Sequence, residues 1–400
     1  DINNDGIDDV YVGGGKNQTS SLFISNEQDG YKHITEPFLK DTESEDTNAL
    51  FFDGDNDGDL DLIVASGGKS FSQYSLSLND RYYINEGDGT FEKKEYALDF
   101  KKKISTKALA SADVNKDGLI DLFFGERYDL TTYGKKGNGV LMINDGQNNF
   151  KQSNQKVFSD LGMITDAKFH DFNNDDWPDL IIVGEWMPIT ILINKNGFFE
   201  NETDLYELDQ TSGLWNTIEL IDINNDGQMD FIAGNHGTNS FLEKKMKMYI
   251  NDFDVNGSFE QIICLKRDGK YYPILDKDEL MNQLPAFKKN IVFYKDYAKK
   301  SIEEIVGKSK VLESLVLKID ILETSLFVSK KNGFKQYGLP EEIQYSPIYS
   351  ILIKTDPNTN KNSLYLGGNQ YLVKPQFGSY DASRGWVLPI NSALENYFKD

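Results

Sequence analysis

The sequence predicts an all-β protein: a seven-bladed β-propeller, with six to eight blades bracketing the count, built of four-stranded antiparallel blades. Three observations carry this. A nine-residue acidic loop of the pattern D-x-[DN]-x-D-[GD]-x-x-D recurs five times, starting at Asp1, Asp53, Asp113, Asp171 and Asp222. The starts lie 52, 60, 58 and 51 residues apart, a period that signals a propeller or another repeat array. Each loop runs into a short apolar stretch ended by glycine, and a second hairpin signature follows downstream.

The loop comes first because its chemistry is specific. Ca²⁺ takes ~6–8 oxygen ligands at ~2.3–2.6 Å. Side chains at positions 1, 3, 5 and 9, with the carbonyl of position 7, can wrap one ion. The ligand sets are Asp1, Asn3, Asp5 and Asp9; Asp53, Asp55, Asp57 and Asp61; Asp113, Asn115, Asp117 and Asp121; Asp171, Asn173, Asp175 and Asp179; and Asp222, Asn224, Asp226 and Asp230. Position 6 calls for glycine at a sharp turn; Asp176 stands there in the fourth copy, and Asp tolerates that backbone region better than most residues. Ordinary solvated turns use the same residue types, but five copies in register argue for metal. The EF-hand opens identically yet needs a bidentate Glu at position 12. Here position 12 is Val12, Val64, Phe124, Ile182 and Ala233, so the loops join strands.

The strands follow in order. An apolar stretch such as Ala49–Phe52 or Thr217–Ile221 precedes a loop, and runs such as Asp61–Val64 and Asp179–Val183 follow it. Downstream come Leu22–Asn26, Tyr82–Phe91, Leu141–Phe150, Ile191–Phe198, Met248–Asn251 and Leu326–Phe334. Each is a strand, and most continue through a tight Asn/Gly/Asp turn to an aromatic that opens the next strand. In the tail, Tyr349–Asp356, Ser363–Gly368 and Trp386–Ile390 keep the order, with the acidic loop eroded to Asp356–Asn362 and no calcium expected there. Asp252–Glu260 reads either as a sixth calcium loop or as the hairpin turn of blade five. Residues 276–308 have helical spacing and predict a two-helix insertion within blade six. Residues 1–400 are thus expected to form a single propeller domain. It starts at the first ligand of a motif without an initiating Met, so an upstream segment and part of a larger polypeptide are expected.

Composition narrows the function. With 42 Lys and Arg against 64 Asp and Glu, the net charge of −22 opposes nucleic-acid binding. No apolar run approaches a membrane span. The one cysteine, Cys264, sits in an apolar run and reads as a buried inert thiol. Weak, open calcium loops suit extracellular calcium, so an extracellular or bacterial outer-membrane-surface location is expected.

Several segments resemble FG-GAP/VCBS repeat proteins, the integrin-α-like β-propellers. The residues are Gly162–Ala167 running into Asp171–Leu180, then Gly184–Pro188, Gly213–Asn216, Gly234–Ser240, Gln283–Pro285 and Gly367–Gln370. Within that family the chain is similar to bacterial secreted repeat proteins with an ASPIC/UnbV-type domain. The resemblance implies calcium in the loops between first and second strands, and roles in adhesion or ligand binding.

Strand alternation puts the acidic loops and the 3–4 turns at one end of each blade and the 2–3 loops at the other. That other end carries Arg127, Tyr128, Trp186, Asn235, His236, Asn369 and Tyr371, a set able to contact sugars or peptides. The leading expectation is a calcium-stabilised binding or adhesion module, not an enzyme, that recognises glycan or protein at the cell surface. The alternatives are a structural docking propeller of a larger surface protein and a calcium-dependent polysaccharide lyase.

Overall fold

A computed structural model describes residues 1–26, 30–87, 89–356 and 361–390. The chain is all-β and of the β-propeller class, a succession of small sheets in which neighbouring strands are antiparallel with one short exception. It divides into two compact units.

The first unit comprises residues 1–130, 136–182 and 190–202. It opens with a three-stranded sheet of Val10–Val12, Ser21–Asn26 and Gly30–Ile34. A full four-stranded sheet follows in the order Asp46–Phe52, Asp61–Ser66, Arg81–Asn85 and Phe91–Lys93. The next repeats this order with Thr106–Ala112, Asp121–Glu126, Gly139–Asn144 and Phe150–Gln152. Leu98–Asp99 joins its edge in parallel, which is the exception. The second strands, Asp61–Ser66 and Asp121–Glu126, are buried along their whole length, which is why they read as continuous apolar runs rather than alternating ones. Phe52, Ile63, Tyr82, Phe124 and Phe150 from these two sheets share one core.

A buried asparagine ties neighbouring repeats together. Asn85 and Asn144 end the third strand of their repeats, Asn194 stands one residue before the end of its own, and all three are shielded from solvent. The Asn85 side-chain amide donates to Ile2 O (2.9 Å) and Leu60 O (3.2 Å). That of Asn144 donates to Gly54 O (2.7 Å) and Ile120 O (3.1 Å). That of Asn194 donates to Val114 O (2.8 Å) and Pro178 O (3.2 Å). One acceptor lies in the repeat's own acidic loop and the other in the loop of the repeat before it.

The fourth sheet runs Met163–His170, Asp179–Met187, Thr190–Lys195 and Phe198–Asn201, with Gly213–Leu214 paired to the second strand. The second unit comprises residues 131–135, 183–189 and 203–400. Here the chain departs from expectation. The fifth sheet is Thr217–Ile221, Asp230–Gly234, Ser325–Lys330 and Gly333–Gly338. Its third strand is therefore Ser325–Lys330, not Met248–Asn251. The register pairs Phe231 with Phe327, whose rings stack at 4.7 Å, and Trp215 packs edge-on against Phe327.

Everything between residues 235 and 324 is an insertion with a sheet of its own. Its order is Lys270–Pro273, Glu260–Arg267, Lys247–Asn251 and Leu315–Lys318. The helical segment is thus part of this larger insertion into the fifth sheet, rather than of a sixth blade bounded at 276 and 308. It holds four short α-helices, Lys277–Gln283, Tyr294–Tyr297, Ile302–Val306 and Lys308–Leu312, instead of two. Pro285 opens a 3-10 turn after the first helix, and Gly307, at φ +91°, separates the last two. A hairpin signal is local and does not specify which second strand it will meet; the Phe231–Phe327 contact does.

The last sheet, Ser350–Asp356, Lys361–Gly367 and Trp386–Pro389, shares a core with the fifth through Ile232, Leu326, Ile351 and Leu364. Most of the eroded loop, 357–360, lies outside the described residues. Seven sheets are present among the described residues, one of them the insertion's. Among the described residues, no helix is long and apolar enough to cross a membrane. Cys264 is buried, and burial pushes its thiol pKa well above the ordinary range.

Replacing Asn144 by Ala leaves the buried Gly54 carbonyl without its donor. The expected cost is about 2–3 kcal/mol, read as a lower midpoint in urea unfolding with an unchanged slope.

Candidate functional site

The five acidic loops share one hydrogen-bond pattern. The position 1 carboxylate accepts from the backbone N–H groups near the turn: Gly6 N to Asp1 (2.7 Å), Gly58 N to Asp53 (3.1 Å), Gly118 N to Asp113 (2.9 Å), Asp176 N to Asp171 (2.7 Å) and Gly227 N to Asp222 (2.9 Å). The position 5 carboxylate accepts from position 7 at 2.8–2.9 Å in all five. Residue 6 is left-handed in each, including Asp176 at φ +67°. Residue 4 is left-handed too, which the sequence reading passed over: Asn4, Asn56, Lys116, Asn174 and Asn225 lie at φ +56° to +64°. Asparagine at four of these five positions was the available signal.

Position 9 is a clamp. One oxygen accepts from the N–H of position 2: Ile2 to Asp9, Gly54 to Asp61, Val114 to Asp121, Phe172 to Asp179 and Ile223 to Asp230, at 2.7–3.1 Å. The other accepts from the second strand after the loop in the same sheet: Ser25, Asn85, Asn144, Asn194 and Ser329, at 2.7–2.8 Å. Position 2 is otherwise an apolar plug. Gly54 is the exception because a Cβ there would come within 2.3 Å of the Tyr82 hydroxyl, which donates to Asp61. Burial raises Asp61 and Asp230 to about 6, and Asp121 and Asp179 to about 7, against the N–H donors that favour ionisation.

Position 3 divides the loops. In four of them it is asparagine, whose amide donates to the position 5 carboxylate: Asn3 to Asp5 (3.2 Å), Asn115 to Asp117 (2.8 Å), Asn173 to Asp175 (3.0 Å) and Asn224 to Asp226 (2.9 Å). Those loops relieve part of their own repulsion. The second loop cannot, because Asp55 stands there. Asp53, Asp55 and Asp57 each bring a carboxylate oxygen within 4.8 Å of the others. Asp55 Oδ1 is shielded from solvent and has no hydrogen-bond partner among the described residues.

The same state recurs in the insertion. Asp252–Glu260 joins Lys247–Asn251 to Glu260–Arg267, so it is not the hairpin turn of blade five. Asn256 N and Gly257 N donate to Asp252, both at 2.9 Å, and Phe253 N donates to Glu260 at 3.0 Å. Glu260 takes the position 9 role with one more methylene. Asp252, Asp254 and Glu260 form a second carboxylate cluster, and Asp254 Oδ1 is again buried without a partner among the described residues. An orphaned carboxylate oxygen inside a cluster of carboxylates is the donor set a hard cation completes. Both clusters can therefore hold a metal ion.

The residues expected at the opposite ends are more buried than a contact surface requires. In the first unit, Tyr128 is buried; Lys69 Nζ lies 5.3 Å, and the Arg127 guanidinium 5.8 Å, from its ring centre. In the second unit, Trp186 is buried at φ +57° on the bulge between Glu185 and Met187. Its indole N–H donates to the Tyr133 hydroxyl (3.2 Å), which donates to Glu185 (2.7 Å). Asn235 is fully buried; its carbonyl accepts from Leu214 N (3.0 Å) and His236 N (2.8 Å), and its amide donates to Ile321 O (3.1 Å). Burial lowers His236 to about 4, and its ring meets Tyr380 edge-on at 5.0 Å. Asn369 braces the Ser383 backbone in both directions, at 2.9 and 3.1 Å, and its amide also reaches the Tyr371 hydroxyl at 3.3 Å. Tyr371 is 66 % exposed. Trp186, Asn235 and His236 thus hold the loop ends in place, and of the seven residues expected there Tyr371 is the exposed one.

The family model for FG-GAP-like repeats matches residues 53–124 and 171–233, two stretches that each begin on an acidic loop. No curated protein matches. Among solved structures, Sqt1 of Saccharomyces cerevisiae is 11 % identical with a TM-score of 0.38, over 96 % of this chain and 93 % of that one. An ancestral GH74 enzyme is 10 % identical with a TM-score of 0.27, over 93 % of this chain and 54 % of that one.

Two outcomes follow for the loops. Val255 holds position 4 of the insertion's loop at φ +60°, a region that penalises a β-branched side chain. Val255→Asn is expected to stabilise by about 1–2 kcal/mol, read by urea unfolding. In chelator, Asp61, Asp121, Asp179 and Asp230 bind protons more tightly folded than unfolded, so stability falls as pH rises from the ordinary 3.8 towards 6–7. Melting temperatures across pH 4 to 7 without metal check this; calcium should flatten or reverse the trend.

Proposed function

Taking the chain as an FG-GAP repeat protein, we propose that it is a calcium-stabilised extracellular binding module that recognises a glycan or a protein, not an enzyme. The observation that carries the metal half is the orphaned Asp55 Oδ1 within the Asp53, Asp55 and Asp57 cluster. Calcium would be held there by these carboxylates with Asp61 behind them, its charge offsetting their repulsion and keeping the buried position 9 group ionised. It serves stability, because the loops are anchored to strand backbones and carry no group that reacts.

The binding half rests on the loop after Lys361–Gly367, at the end of that strand away from 357–360. Tyr371 and Leu372 stand exposed there, with Asn369 bracing the backbone. An aromatic ring beside amide groups suits sugar rings or an extended peptide. The burial of Tyr128, Trp186 and Asn235 favours a second reading, a docking propeller within a larger surface polypeptide, in which these residues only shape the scaffold.

With a Kd near 10⁻⁴ M and ~1 mM calcium, each site contributes about 1.4 kcal/mol. Chelation should lower the melting temperature by several degrees, and an unchanged melt sinks the calcium reading. Asp57→Ala should remove one site from a calcium titration. A glycan or peptide array that registers binding, lost in Tyr371→Ala without a change in melting, separates recognition from pure docking. Ultraviolet absorbance appearing on incubation with acidic polysaccharide would instead reveal a lyase.

A further inference from the structure

The insertion carries a surface unlike the rest of the chain. Residues 288–300 hold five lysines, Lys288, Lys289, Lys295, Lys299 and Lys300, against Asp296 alone, in a chain of net charge −22. None of the five forms an ion pair with a described residue. In their midst Val292, Phe293 and Tyr294 are 57, 60 and 54 % exposed. Three consecutive large apolar side chains facing water are a cost to a protein with no use for them.

This tip is held rigidly from below. Ile291 is buried in the core of the insertion, and Phe287 and Tyr297 pack against the same core. The Tyr297 hydroxyl donates to Leu275 O at 2.6 Å. Ile291 N donates to Phe287 O and Asp296 N to Phe293 O, and the Tyr294 hydroxyl donates to Asp278 at 2.7 Å. Lys295 Nζ lies 5.3 Å from the centre of the Phe293 ring. The backbone thus presents the apolar side chains outward in a fixed arrangement, with Lys295 beside Phe293 and Lys277 beside Tyr294.

We propose that this tip docks on an anionic lipid surface, with Val292 and Phe293 entering the headgroup–acyl boundary and the lysines meeting lipid phosphates. Charge complementarity selects this occupant. The apolar pair would be idle against a purely polar polyanion, and the lysines would be idle in an apolar protein groove. A bilayer with anionic headgroups satisfies both. The acidic remainder of the chain does not prevent it, because at physiological salt repulsion is screened beyond about 8 Å. This surface is independent of the Tyr371 reading.

The test is co-sedimentation of the full chain with vesicles of 70:30 phosphatidylcholine and phosphatidylglycerol, and of phosphatidylcholine alone. It is run in calcium and again in chelator, to separate direct docking from calcium bridging. The expected result is binding to the anionic vesicles in both conditions, with little to the neutral ones. Phe293→Ser should weaken it at least tenfold, and Lys295→Gln with Lys299→Gln by roughly 25-fold, about fivefold per lysine. These side chains are exposed, so melting should not change; should Phe293→Ser melt early, Val292→Ser takes its place. No binding to anionic vesicles, binding only in calcium, or binding that the apolar substitution leaves intact would overturn the proposal. In the last case, equal affinity for soluble heparin would identify a simple polyanion contact.

Discussion

The carboxylate at position 9 is the constraint from which the rest of the first unit follows. It lies between the start of the acidic loop and the start of a hairpin, and accepts one backbone N–H from each. Two strand connections far apart in sequence thereby acquire fixed positions. The same asparagine that gives its N–H to position 9 reaches back with its side chain to the preceding repeat's loop. Repeat follows repeat through the backbone of the acidic loops as well as through apolar packing. A buried carboxylate is costly in water-free surroundings, and backbone donors only partly offset that cost. A cation would supply the remainder.

The loops are therefore not equivalent, although the pattern that defines them is. An asparagine at position 3 cancels part of the local repulsion by donating to position 5. Asp55 and Asp254 have no such donor, and each leaves an oxygen shielded and unpaired. Among the described residues, the carboxylate clusters that could hold a metal are those in the loops at 53–61 and 252–260. The second of these lies in the insertion, where Glu260 replaces the aspartate and Val255 takes a backbone region foreign to it. That a strained valine is tolerated there indicates how strongly the surrounding hydrogen bonds impose the loop conformation.

The insertion also shifts where function is to be sought. The loop ends that held the conspicuous aromatics and the histidine are braced and buried: Trp186 against Tyr133, His236 against Tyr380, Asn235 against the Leu214 backbone. Exposed aromatics lie elsewhere, among them Tyr74, Tyr96, Phe198, Tyr371 and the tip at 292–294. The insertion leaves the fifth sheet after Gly234, at the end of that strand away from the acidic loop that closes on Asp230. It therefore projects from the side of that sheet on which partner contacts were expected.

Five acidic loops, the strands around them and the all-β class were determined by the sequence alone. Each is a local matter: nine residues suffice to specify ligand spacing and the turn, and four or five apolar residues suffice to specify a buried strand. The hydrogen bonds at position 9 and the asparagine staple were visible only as repeated letters, because their partners lie up to 99 residues away. Tertiary structure alone decided that Ser325–Lys330, not Lys247–Asn251, completes the fifth sheet. Both segments carry the same hairpin signal, and the choice between them is made by Phe231 and Phe327 stacking across a gap that no local pattern spans. It also decided which aromatics reach solvent, since burial depends on what the rest of the chain lays over a side chain.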